Sequence, residues 1–143
     1  MTIERTSRLL AILDDDTSVQ SALQDLMEAE GMCALCFSSA EQFLHSGARH
    51  KVGCLIADIQ MPGMTGIELQ AHLMTERCSI PIIFITGRGD IALAVSAMKS
   101  GAIDFYTKPV DGTSLLNSVE RALQRRRTAR SAAVQAGEDA PKS

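Results

Sequence analysis

Cys54-Leu-Ile-Ala-Asp58-Ile-Gln-Met-Pro62-Gly-Met-Thr-Gly66 is the stretch that decides the fold of this chain. An apolar run, Cys54 to Ala57, ends in a single carboxylate at Asp58, and a Pro-Gly turn follows at once. Thr65-x-x-Glu68 then has the form of a capping box, which predicts a helix from Gly66 to about Glu76. A short apolar run without alternation reads as a strand buried on both faces, the kind that parallel sheets contain. Asp58 therefore stands where a central strand stops. A carboxylate there is costly unless a cation, hydrogen bonds or covalent chemistry holds it.

Working outward, Leu9 to Leu13 reads as a strand and ends in Asp14-Asp15-Asp16. Thr17 or Ser18 is the expected cap of the next helix, with Val19, Leu23, Leu26 and Met27 as its buried stripe and Gly31 as its stop. Met32 to Phe37 is a second strand. Ser38-x-x-Glu41 reads as a second capping box, opening a short helix through Leu44, and 47–51 is a polar loop. The third strand is Val52 to Asp58, and the fourth runs from Pro81 to Thr86. After Gly87-Arg-Gly89, Asp90 is a good N-cap, and Ile91, Ala94, Val95 and Met98 are the expected inner stripe of a fourth helix. Ile103 to Tyr106 is the fifth strand. Lys108-Pro109 follows, and Asp111 opens a last helix with Leu115, Val119, Ala122 and Leu123 facing inward. The Arg125–Arg130 run suits a helix C-terminus.

Strand followed by helix, five times over, predicts an α/β fold: a doubly wound, five-stranded parallel sheet with order 2-1-3-4-5. Ligands in such folds bind beyond the carboxyl ends of strands 1 and 3. That rule brings Asp14 and Asp15 to Asp58, with Thr86 and Lys108 on the same rim.

The 143 residues suggest one domain, divided as an arm (1–8), a folded unit (9–127) and a polar tail or linker start (128–143). A net charge of −3, from 14 basic and 17 acidic groups, is a poor footprint for direct nucleic-acid binding. No apolar stretch approaches the ~20 residues needed to span a bilayer. The first residues lack a signal-peptide pattern, so a cytoplasmic, membrane-free protein is expected. Cys33-Ala-Leu-Cys36 matches C-x-x-C, but residues three apart in a strand face opposite ways, so the cysteines read as small hydrophobes. His45, His50 and His72 read as surface or helix-face residues without partner spacing.

Clustered carboxylates need a counter-charge, and Mg²⁺ suits them, since it takes oxygen ligands and shares them with phosphate. Asp15 and Asp58 are the expected direct ligands, Asp14 acts through water, and the Gln60 main-chain carbonyl completes the protein's share. Asp14 to Asp16 also has the plainer reading of an acidic helix start, which fits Asp16 best. Lys108 suits a phosphate oxygen or Asp58 itself, and Thr86 supplies a hydroxyl. Together these groups fit phosphoryl transfer with Asp58 as nucleophile.

Over roughly residues 8–127 the chain resembles a receiver domain of a two-component response regulator, a flavodoxin-like fold. The matching residues are Ile12-Leu-Asp14-Asp15, Asp58-x-x-Met-Pro-x-Met-x-Gly66 with Glu68, Ile85-Thr86-Gly87, and Lys108-Pro109. Thr86 to Asp90 and Ala97 to Phe105 look most like the nitrogen-fixation-regulator branch, whose members usually carry a C-terminal helix-turn-helix (LuxR-type) output domain. The resemblance implies a phosphoacceptor signalling domain rather than an enzyme, with at most self-phosphorylation and self-dephosphorylation at Asp58. Asp58 would take phosphate from a sensor histidine kinase. Thr86 would move toward it, and Phe105 would change rotamer and alter the face of helix 4, strand 5 and helix 5, with plain core as the alternative reading of Phe105. A phosphorylation-dependent homodimer, a cis Lys108–Pro109 bond, and roles for Gln60 and Arg88 in phosphoryl lifetime are implied in the same way. The implied output is control of transcription, either by a natural single-domain regulator or through a longer protein.

Three rivals fare worse. A flavin carrier needs a Ser/Thr/Gly phosphate cradle after strand 1, where three aspartates stand. A small phosphatase is suggested by Asp14-x-Asp16 but lacks a cap domain or substrate pocket. A receiver-like module that is never phosphorylated would not need the full acidic set.

Overall fold

The computed structural model describes residues 8–87 and 91–136, with side chains to residue 126. Five parallel strands stand in the order β2-β1-β3-β4-β5, as expected. They are β1 (Leu9–Leu13), β2 (Cys33–Phe37), β3 (Cys54–Asp58), β4 (Ile82–Thr86) and β5 (Asp104–Thr107). The helices are α1 (Thr17–Ala29), α2 (Ala40–Ser46), α3 (Gly66–Thr75), α4 (Ile91–Lys99) and α5 (Gly112–Ala136), with a 3-10 turn at Ala48–His50.

Alternate residues of each strand feed two separate cores. Ala11, Leu13, Leu55, Ala57 and Phe84 face one way and meet Phe43 of α2, Leu69 and Leu73 of α3, and Ala97 of α4. Leu10, Ile12, Cys54, Ile56, Ile83 and Ile85 face the other way and meet Leu23 and Met27 of α1 and Leu115, Val119, Ala122 and Leu123 of α5. All five residues of β3 and all five of β4 are buried. That double burial is the physical reason for their unalternating sequences.

Gly31, in the left-handed region at φ +82°, ends α1 as predicted. The α3 capping box forms as predicted: Thr65 Oγ1 accepts the Glu68 N–H at 3.1 Å, and Glu68 Oε1 accepts the Thr65 N–H at 2.9 Å. Gly66 lets α3 begin against the end of β3. A Cβ at that position would lie 2.7 Å from the Asp58 carbonyl oxygen and 2.9 Å from Phe84 Cε1.

Several expectations are corrected. Asp16, not Thr17 or Ser18, caps α1, with Oδ1 accepting the Ser18 N–H at 2.9 Å. Ser39, not Ser38, caps α2 by accepting the Gln42 N–H at 3.1 Å, and Gln42 Oε1 takes the Ser38 N–H. The frame is one residue later, and Glu41 is excluded from it. In α4 the buried residues are Ala94 and Ala97, while Ile91, Val95 and Met98 are exposed. Alanines let the helix lie close to the sheet, and the larger stripe turns outward. His72 does have a partner: its Nε2 lies 3.0 Å from Glu76 Oε2, and Glu76 also pairs with Arg49. Finally, α5 runs through Ala136, past the expected stop in the Arg125–Arg130 run. Ser131, Ala132, Ala133 and Ala136 offer little resistance to helix. Asp90 and Arg88 lie outside the described residues. Among those described, no helix is long and apolar enough to cross a membrane.

Candidate functional site

Parallel pairing of β1 with β3 puts Leu13 beside Ala57, so the residues that follow, Asp14 and Asp58, leave the sheet side by side. Asp14 is fully buried and Asp58 nearly so, at 5% exposed, whereas Asp15 is exposed. One carboxylate oxygen from each of Asp14, Asp15 and Asp58 falls within 4.8 Å of the others. Three hard oxygen donors this close make a set suited to a divalent cation.

The backbone holds these acids in place. Asp14 Oδ1 accepts the Asp16 N–H at 2.9 Å, and the Asp14 N–H donates to the Phe37 carbonyl at 3.1 Å. Gln20 Nε2 donates to the Asp14 carbonyl at 2.6 Å, crossing from α1. Asp58 Oδ1 accepts the Gln60 N–H at 3.0 Å, which starts the turn toward Pro62.

Lys108 reaches over from the β5–α5 loop. Its Nζ stands 2.8 Å from Asp14 Oδ2 and 2.9 Å from Asp58 Oδ2. The Lys108 N–H also donates to the Thr86 carbonyl at 2.8 Å, so β4 helps to set the loop. The Lys108–Pro109 bond is cis, as the resemblance implied. Burial raises the Asp14 carboxyl above its ordinary value, against the opposing pull of Lys108. Burial also pulls the Lys108 ammonium down, but its hydrogen bonds to Asp14 and Asp58 outweigh that and hold it above its ordinary value. One ammonium thus faces two buried carboxylates, with a third acid at the rim. The cluster is short of positive charge.

Thr86 is buried at the end of β4, and its backbone pairs with Thr107 of β5. Phe105 is half-buried against the core shared with α3 and α4 and pairs with Phe84. On the other side of β5, the Tyr106 hydroxyl bonds Asp104, Ser118 and the Ser114 carbonyl, and Arg121 completes the cluster. Asp14, Asp15 and Asp58 thus meet beyond the carboxyl ends of β1 and β3, with Lys108 bonded to two of them and to the Thr86 carbonyl at the end of β4. The Asp14–Lys108 ion pair, the Gln20 bond and the Tyr106 cluster were missed. Each needs atomic placement across elements, and no local spacing signals it.

A family model described as response regulator receiver domain matches residues 10–120. Response regulator protein TodT of Pseudomonas putida is 47% identical over 116 residues, which is 81% of this chain and 51% of TodT. Nodulation protein W of Bradyrhizobium diazoefficiens is 39% identical over 127 residues, covering 89% of this chain and 56% of that protein. Transcriptional regulatory protein FixJ of Azorhizobium caulinodans is 39% identical over 114 residues, with 80% and 54% covered. The chain spans about half the length of these curated relatives. Among solved structures, response regulator StyR matches with a TM-score of 0.80 at 42% identity, covering 89% of this chain and 66% of that one. The FixJ-N structure matches at 0.74 and 37% identity, with 81% and 93% covered.

Proposed function

The chain belongs to the response regulator receiver domain family, and from that premise we propose that Asp58 accepts a phosphoryl group from the phosphohistidine of a sensor histidine kinase. One observation carries this reading. Asp14, Asp15 and Asp58 offer oxygens within 4.8 Å of one another, and Lys108 stands within 2.9 Å of Asp58. The Asp58 carboxylate attacks phosphorus, an O–P bond forms, and the P–N bond to the kinase histidine breaks. An attacking carboxylate needs no general base if it is ionised. The Lys108 ammonium faces the oxygens that gain charge, and the Thr86 hydroxyl supplies a further donor.

Asp15, Asp58 and the Gln60 main-chain carbonyl would hold Mg²⁺, with Asp14 acting through water. When bound, the ion neutralises the acids and stabilises charge on the transferring group. The domain signals rather than turns over substrate; its own chemistry is limited to gaining and losing the phosphoryl group at Asp58.

Switching follows from the same rim. Thr86 turns toward the phosphoryl group, and Phe105 on β5 repacks in the space that opens. The α4–β5–α5 face then changes, and it already presents Ile91, Val95 and Met98 to solvent. Its partner is a second phosphorylated copy or an output module that controls transcription. The test is an amide spectrum with beryllofluoride and Mg²⁺. Thr86, Phe105 and α4 signals should shift only when both are present, and sedimentation should report a dimer. Shifts confined to Asp58 and its neighbours would contradict the switch.

A further inference from the structure

Glu41 stands in the first turn of α2 but is not its N-cap. Ser39 Oγ accepts the Gln42 N–H, and Gln42 Oε1 accepts the Ser38 N–H. The Glu41 carboxylate leaves the helix and reaches the loop between β3 and α3, where Oε2 accepts the Met64 N–H at 2.9 Å. That hydrogen bond holds its carboxyl below the usual range, so it stays ionised at neutral pH. The loop is shaped to receive it. Gly63 adopts φ +77°, and a Cβ there would lie 2.8 Å from Glu41 Oε2. The same loop begins at Asp58 and Gln60, which are joined by the Gln60 N–H to Asp58 Oδ1 bond. Its far end is fixed by the Thr65–Glu68 capping box.

We propose that Glu41 is a positioning residue for the metal-assisted chemistry at Asp58: its carboxylate clamps the Pro62–Met64 turn and so keeps the Gln60 carbonyl where a divalent cation needs it. The proposal rests on the reading of the Asp58 site given above. Glu41 touches neither the reacting atoms nor the ion. It acts by removing freedom from the segment between two fixed ends. Without the clamp, that freedom must be lost when the ion binds, and apparent affinity falls by the fraction of loops in the competent shape. A carboxylate bond to a backbone N–H is strong enough for this to be measurable.

The test is an Mg²⁺ titration followed by amide signals on the whole chain, for the native protein, Glu41→Ala and Glu41→Gln. Glu41→Ala should weaken Mg²⁺ binding by about 3- to 10-fold. Glu41→Gln should stay within about twofold of native, because an amide oxygen still accepts the Met64 N–H. Phosphorylation by acetyl phosphate should slow in Glu41→Ala at low Mg²⁺ and recover at saturation, and Met64 amide exchange should quicken. If the native chain binds Mg²⁺ and Glu41→Ala binds it equally, the clamp is overturned and the site reading stands. Equal weakening in Ala and Gln variants also overturns it, since charge alone would then be at work. If the native chain fails to bind Mg²⁺, the site reading falls and takes the clamp with it. Should Glu41→Ala not fold, Gly63→Ala disturbs the same contact from the loop side. Unchanged affinity in that variant overturns the clamp.

Discussion

Asp14 and Asp58 crowd two buried acids around a single ammonium, that of Lys108. The carboxylates of Asp14 and Asp58 share one ammonium at 2.8 and 2.9 Å, with Asp15 close by. Removing one negative charge should relieve repulsion, while an asparagine oxygen can keep the Gln60 N–H bond. Asp58→Asn is therefore expected to stabilise the metal-free protein by about 1 kcal/mol, read from urea unfolding, and to lose further stabilisation by Mg²⁺. Lys108→Ala should do the reverse. It leaves two buried acids without their cation, at a cost of about 1–3 kcal/mol given the partial exposure of Lys108, and added Mg²⁺ should restore part of it. Cys54 gives a separate handle on pH. Burial pushes its thiol from an ordinary 9.0 up to about 12. A raised folded value means the folded state holds the proton longer. Its stability is complete below pH 9 and declines as pH rises toward 12, with ~2 kcal/mol lost near pH 10.5. Cys36 and Cys78 shift the same way. Urea midpoints at neutral and alkaline pH should show that fall, and Cys54→Ala should make the slope shallower.

At the scale of elements, close approach and face choice decide what survives mutation. Gly66→Ala would drive a methyl into the Asp58 carbonyl and the Phe84 ring, where backbone cannot yield. It is expected to cost about 1–3 kcal/mol and to displace the loop that carries Gln60, measurable by thermal melting and Mg²⁺ titration. In α4, Ala94→Leu should cost about as much by overpacking, whereas Val95→Ser on the open face should fall within ~0.5 kcal/mol of native. These contrasts mark where sequence reading stops. Strand content was legible because β3 and β4 are apolar up to their last residues, which double burial between helix layers explains, and the order followed from the strand–helix alternation. The rim of Asp14, Asp58, Thr86 and Lys108 followed from topology alone, since all four sit at carboxyl ends of parallel strands. The inner face of α4 was not legible, because Ile91 to Met98 is apolar on most sides and periodicity cannot say which side meets the sheet. Ser38 and Ser39 both satisfy the cap spacing, so the frame of α2, and with it the destination of Glu41, needed three dimensions.

For the molecule as a whole, two apolar layers hold one polar rim, and the candidate site stands where the strands end. Gln20 enters the rim from α1, Lys108 from the turn before α5, and Thr86 from β4, while Glu41 of α2 reaches the loop that leaves it. Of these side chains, Lys108 meets the Asp58 carboxylate directly. The direct measurement is to phosphorylate the chain with acetyl phosphate, reduce the acyl phosphate with borohydride, and locate the homoserine by peptide mass spectrometry. The account predicts homoserine at position 58, only with Mg²⁺ present, and none in Asp58→Asn. Modification at another aspartate, or equal modification in the presence of a chelator, would contradict it.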